Sequence, residues 1–208
     1  PSDVNLSKAV WKVVESTPTQ AVLAIDIQDA DGNVVLSVRR TYTLHPRAEA
    51  IEAGAAAPPQ YELKMKMEFI PAGDRVEKVM YELSGSPELP FEPGRGIVAA
   101  AVAATWATRG VTVAQASPKE TAKGAELPKA SNLAGTDLVW AGQMDKYFAV
   151  VMIPQKPARE GTFAAGAETE WYCVQHERAD TAVPGVRIIS REIPLAAGKP
   201  VEHQVLVF

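Results

Sequence analysis

Residues 61–69, Tyr61-Glu62-Leu63-Lys64-Met65-Lys66-Met67-Glu68-Phe69 (YELKMKMEF), alternate apolar and charged side chains without a fault. A β-strand sends successive side chains to opposite faces, so this stretch predicts a strand with one buried face and one wet face. The same two-residue period recurs along most of the chain. The expected fold is therefore all-β, a twisted antiparallel β-sandwich with at most one or two short helices.

Upstream, Leu23, Ile25 and Ile27 alternate with Ala24, Asp26 and Gln28. Asp29-Ala30-Asp31-Gly32-Asn33 then reads as a turn, with Gly32 free to take a positive φ. The return strand is expected over Val34 to Leu44, with Leu36, Val38, Tyr42 and Leu44 on one side, which makes a hairpin. A further strand signal, Ala9 to Glu15, holds Trp11 and precedes a break at Ser16-Thr17-Pro18. His45 to Gln60 is rich in alanine and proline and reads as a surface insertion with one helical turn around Ala48 to Ala53. On the far side of the opening stretch, a turn at Pro71-Ala72-Gly73-Asp74 leads to a strand ending in Val79, Tyr81 and Leu83. Pro87, Pro90 and Pro93 forbid a central strand after it.

Ile97 to Thr108 suits a helix by its alanines and a buried strand by its apolar content, and pattern alone leaves both open. Ser117 to Ala134 reads as a long loop. Asp137 to Trp140 and Tyr147 to Ile153 read as a hairpin around Gly142, the second arm continuously apolar as a strand covered on both faces would be. Strands are also expected at Thr169 to His176, Val186 to Ile193 and Glu202 to Phe208.

At 208 residues the chain fits one domain spanning residues 1–208. A chain of this size buries roughly 70% of its unfolded surface, enough for a core without staples. Cys173 is the single cysteine, so no intramolecular disulfide forms, and its expected place is a buried one between Tyr172 and Val174. The net charge is −4, and no basic stripe is present, which argues against nucleic acid as a partner. No run approaches the ~20 apolar residues of a membrane helix. Ile97 to Ala104 comes nearest and is too short. The chain opens on Pro1 rather than methionine, and the expectation is a piece of a longer precursor.

Motifs that could carry chemistry have plainer explanations. Gly94-Arg95-Gly96-Ile97-Val98-Ala99 matches a dinucleotide fingerprint, but three prolines precede it and no βαβ unit surrounds it. Asp29 to Asn33 has a faint likeness to a calcium loop, but Val38 stands where the closing glutamate belongs. Of His45, His176 and His203, only His176 lies near another ligand type, Cys173, and strand geometry sets those two on opposite faces. A zinc site needs three or four converging ligands. The expectation is no catalytic residue, no cofactor and no metal. Trp11, Trp106, Trp140 and Trp171 are expected to fill the core, the alternative being an aromatic groove for a peptide or sugar.

Several segments, taken in order, resemble the periplasmic domain of the YidC-type bacterial membrane protein insertase. They are Trp11 in an early strand, Arg40-Thr41-Tyr42-Thr43-Leu44 and Tyr61-Glu62-Leu63. Tyr81-Glu82-Leu83-Ser84-Gly85-Ser86-Pro87-Glu88-Leu89-Pro90 follows, then Trp140 with Lys146-Tyr147-Phe148-Ala149-Val150-Val151-Met152-Ile153-Pro154, and last Gly198 with Val201 to Phe208. Ser86 and Glu88 depart from the family's loop. The resemblance implies a mutarotase-like β-supersandwich on the periplasmic side of the bacterial inner membrane, excised from a multi-pass parent. It implies a non-catalytic, monomeric accessory domain that supports insertion of inner-membrane proteins, with translocon components or nascent membrane-protein segments as partners and no assignable interaction residue. The alternative is a carbohydrate-binding or mutarotase-like β-sandwich, whose chemistry would need a histidine acid and a glutamate base facing one cleft. His176 and Glu177 are adjacent on a predicted strand and would face apart. A third reading is a surface β protein such as an adhesion module.

Overall fold

The computed structural model describes residues 4–47, 60–84, 100–107, 110–116, 138–144, 149–155, 168–175, 182–190 and 192–208. After a single 3-10 turn at Leu6–Lys8, its regular structure is all strand: β1 (Lys12–Ser16), β2 (Gln20–Gln28), β3 (Val34–Arg47), β4 (Gln60–Pro71), β5 (Lys78–Val79), β6 (Glu82–Ser84) and β7 (Ala100–Ala107). Then come β8 (Gly110–Ala116), β9 (Leu138–Met144), β10 (Ala149–Gln155), β11 (Glu168–Gln175), β12 (Ala182–Ile189), β13 (Ile193–Pro194) and β14 (Val201–Val207). The chain divides into two compact units, one of Pro1–Lys78 with Pro194–His203, the other of Val79–Ile193 with Gln204–Phe208.

In the first unit the strand order is β1-β2-β3-β4, with the start of β14 beyond β4. The β2–β3 hairpin forms as the alternation predicts, with Ile25 opposite Val38 and Leu23 opposite Arg40. Its turn closes through Gly32 at φ 82°. The β3–β4 ladder sets Val38 opposite Phe69, Arg40 opposite Met67 and Tyr42 opposite Met65. Directly opposed residues share a face, and Leu36, Val38, Met65, Met67 and Phe69 are all buried on this one. The other face carries Arg39 opposite Glu68, Thr41 opposite Lys66 and Thr43 opposite Lys64. The period-two pattern of 61–69 has thus sorted the sheet into an apolar and a charged side.

In the second unit the end of β14 pairs with β10, and the order continues β10-β9-β7-β8. A separate three-stranded sheet runs β11-β12-β6. It is joined at its end by Tyr81 and Ser190: the Tyr81 N–H donates to the Ser190 Oγ at 2.9 Å and the Ser190 N–H to the Tyr81 carbonyl at 2.9 Å. The ambiguous stretch 97–108 is resolved over residues 100–107 as strand β7, paired on both sides by β8 and β9. Tertiary pairing overrides the helix propensity of its alanines.

Several expectations are corrected. The hairpin of β9 and β10 does not turn at Gly142: both strands run past it, and Gly142 sits mid-strand opposite Val151. The first strand starts at Lys12, so Trp11 precedes it. β3 continues to Arg47 and β4 begins at Gln60, so both ends of the supposed insertion are sheet. Leu44, placed with the buried side by its parity, is exposed near the end of β3. The strand expected up to Leu83 is two short pieces, β5 and β6. The one expected at Val186 to Ile193 begins earlier, as β12 at Ala182, and ends at Ile189. The helical turn at 48–53, the three prolines, the Gly94–Ala99 motif, the loop 117–134, His176 and Glu177 all lie outside the described residues.

Candidate functional site

The charged face of β3 and β4 begins with a sequence that cannot be buried whole: four charged residues every second position along β4. The fold pairs two of them with each other and brings in a third charge from β14. Lys66 Nζ lies 3.3 Å from Glu68 Oε1 and 3.4 Å from Glu202 Oε1. One ammonium therefore bridges a neighbour on its own strand and a carboxylate on β14. Glu68 is the more enclosed of the two carboxylates and Glu202 the more open. Such half-exposed pairs add little stability, typically ~1 kcal/mol or less. They do fix the positions of three charged groups beside the hydroxyl of Thr41, which lies opposite Lys66 in register. Further along the same ladder, His45 is the register partner of Glu62.

The opposite, apolar face carries two polar residues in unusual settings. The Arg40 guanidinium carbon sits 4.5 Å from the centroid of the Trp11 ring. Its Nε is buried and has no hydrogen-bond partner among the described residues. The indole face thus supplies the cation with electrostatic compensation that a hydrogen bond would otherwise give. Trp11 is itself tied back through its Nε1–H, which donates to the Leu6 carbonyl at 3.4 Å. On β14, His203 is 2% exposed and meets the Phe69 ring edge-on, with centroids 6.2 Å apart and planes at 81°. Burial alone pushes its pKa down to about 4, so the imidazole is neutral at physiological pH.

Asp29 has the plainer of its two readings. Its Oδ1 accepts from the backbone N–H groups of Asp31 at 3.0 Å and Asn33 at 2.9 Å, and its other oxygen pairs with Arg75. The Asn33 backbone bond, with further bonds and the Arg75 charge behind it, holds the carboxyl below its ordinary range. The carboxylate is occupied by the hairpin turn. Among the described residues no three His, Cys, Asp or Glu gather where they could hold a metal ion. Cys173 lies on β11 opposite Pro184. Trp11 and Trp140 are half-buried rather than central to the core.

Sequence reasoning missed the Lys66–Glu202 contact, because nothing local links residues 136 apart. That His45 belongs to β3 was within reach, though its partner across the ladder was not. Continuing the β3 alternation past Leu44 instead of stopping there brings His45 into the ladder. His203 was legible in the same way, since it shares parity with Val205 and Val207 on a predicted strand.

Comparison with known proteins places the fold. No family model matches the chain, and no curated protein matches it. Among solved structures, the chain is similar to a protein from Escherichia coli K12 provisionally named an aldose 1-epimerase. The TM-score is 0.50 at 11% identity, over 96% of this chain and 68% of that one. The fold class is thus the expected one: all-β, antiparallel and mutarotase-like. The resemblance to the YidC-type periplasmic domain is overturned, and with it the insertase and protein-transport reading, because the likeness found is to an aldose 1-epimerase-like protein. The motifs behind that resemblance were short alternating strands closed by turn residues. Such patterns encode pleat and reversal in any antiparallel protein and carry little of a family's identity. The expectation that the chain is not an enzyme is corrected on the same ground: it leaned on that resemblance, and the likeness found is to a protein named an aldose 1-epimerase.

Proposed function

We propose that this chain is a carbohydrate-active protein of the mutarotase-like type, acting on aldoses. The observation that carries the reading is the fold likeness to the protein named an aldose 1-epimerase, which extends over 96% of the chain. The charged face of β3 and β4 supports it. Sugars are recognised through their hydroxyls, and fixed carboxylates, ammonium groups and threonine hydroxyls supply acceptors and donors for them.

Anomer exchange needs no cofactor. A base takes the proton from the hydroxyl on C1, an acid protonates the ring oxygen, and the bond between C1 and that oxygen opens to give the aldehyde. Rotation and the reverse transfers close the ring as the other anomer. General acid–base catalysis of this kind contributes typically 10²- to 10⁴-fold. The register pair His45 and Glu62 sets a histidine and a carboxylate residue at opposing positions on one ladder, and these take the acid and base roles in this reading.

Polarimetry on freshly dissolved α-glucose and α-galactose tests it. The expected result is faster relaxation to the anomeric equilibrium than in buffer, with the acceleration reduced about 100-fold in His45→Gln or Glu62→Gln. Calorimetric titration with the same sugars separates binding from turnover. Heat without acceleration removes the enzyme and leaves a binding protein; neither heat nor acceleration with common hexoses removes both.

A further inference from the structure

The charged face of β3 and β4 is a ladder whose rungs follow one another at two-residue steps, about 6.8 Å apart. His45 and Glu62 make one rung, Thr43 and Lys64 the next, and Thr41 and Lys66 the one after. The two lysines are used differently. Lys66 is held between Glu68 and Glu202, at 3.3 Å and 3.4 Å. Lys64 is half-buried like its neighbour, yet among the described residues it joins no ion pair. A half-buried ammonium has given up part of its hydration, and an anion that reaches it makes a charge-assisted hydrogen bond in return. Thr43, across the rung and also half-buried, adds a hydroxyl that can donate to the same anion.

We propose that Lys64, with Thr43, receives the carboxylate of a hexuronate, so that the preferred aldose is an acidic one. This rests on the mutarotase-like reading above, with His45 and Glu62 in the acid and base roles. Spacing is the first argument. Anomer exchange takes place at C1 and the ring oxygen, and the carboxylate of a hexuronate stands on C5, the carbon on the other side of that oxygen. A sugar with C1 at the His45–Glu62 rung therefore carries its carboxylate about one ring's breadth away, at the neighbouring rung. Charge is the second argument. The Thr43–Lys64 rung offers one uncommitted positive charge, and a carboxylate brings one negative charge. A phosphate monoester brings nearly two, on a face that already holds Glu62 and Glu68. The carboxylate takes no part in the bond changes; it stays ionised and orients the ring. Lys64 is in this sense a specificity-determining residue.

Polarimetry on freshly dissolved α-galacturonate and α-galactose at pH 7 tests it, since the two sugars differ only in the group on C5. In the wild-type chain kcat/KM for galacturonate should exceed that for galactose about tenfold. Lys64→Gln should abolish this preference, chiefly by raising KM for galacturonate, and Lys64→Arg should keep most of it. Both sugars are measured on one sample, so a partly unfolded variant lowers both rates alike and leaves their ratio intact. Equal rates on the two sugars in the wild type, or a preference that survives Lys64→Gln, overturn the proposal and leave the mutarotase-like reading standing. A Lys64-dependent preference for glucose 6-phosphate over galacturonate overturns it in favour of phosphate esters. If neither sugar relaxes faster than in buffer, the enzyme reading falls, and calorimetric titration with galacturonate decides the site separately. Heat that disappears in Lys64→Gln keeps the carboxylate site as a binding site; no heat removes it.

Discussion

Gly142→Ala should lower the unfolding free energy by about 3 kcal/mol or more. Gly142 is mid-strand in β9, paired on one side with Val151 of β10 and on the other with Val102 of β7. A Cβ placed there meets the Val150 carbonyl oxygen, comes within 2.9 Å of the Val151 Cα, and within 3.1 Å of the Val150 carbonyl carbon. These are backbone atoms, so no side chain can turn aside to relieve the clash. The ladder must open locally, which strips hydrogen bonds from a strand paired on both edges. Urea unfolding reads the effect as a lower midpoint. Met144→Ala, at an exposed position near the end of the same strand, should move the midpoint by roughly 0.5 kcal/mol or less. Equal midpoints for Gly142→Ala and wild type would show that β10 does not approach β9 so closely.

Acid should destabilise the fold through His203 well before carboxylates titrate. In the folded chain its pKa is depressed to about 4 by burial, whereas an unfolded histidine titrates near ~6.5. Unfolding therefore takes up a proton anywhere between those values. Stability from this source is whole above about pH 6.5 and falls as pH drops toward 4, by about 3 kcal/mol in all. His203→Gln keeps a polar group of similar reach and cannot titrate. The measurement is the difference between wild-type and variant unfolding free energies at intervals from pH 7.5 to 4. It should narrow steadily as pH falls, because only the wild type carries the histidine penalty. A difference constant across that range would mean that His203 is as free to protonate folded as unfolded.

These two residues also show how far the chain could be read without coordinates. The parity of His203 with Val205 and Val207 on a predicted strand already turned it inward, but its depressed pKa depends on how completely the tertiary structure excludes water, which no local pattern records. Gly142 was read as a turn residue, because glycine between two apolar runs is the usual hairpin signal. Its actual constraint is the closeness of a neighbouring backbone, and strand separation is a property of the pair. The stretch 97–108 shows the same limit: eight of its residues form β7 only because β8 and β9 lie on either side.

The residues alone determined the class of the fold, the β2–β3 hairpin and its turn, and the two-sided character of β4. All of these follow from the alternation of a pleated strand and from the backbone freedom of Gly32, and both act over a few residues. The pairing of distant strands, by contrast, settles that Lys66 bridges Glu68 and Glu202, that Arg40 rests on Trp11 beneath an otherwise apolar face, and that His45 stands opposite Glu62 in register. Each of these depends on which strands become neighbours and at what offset. That choice is made by burial summed over whole faces, and it leaves no mark in a short window of sequence.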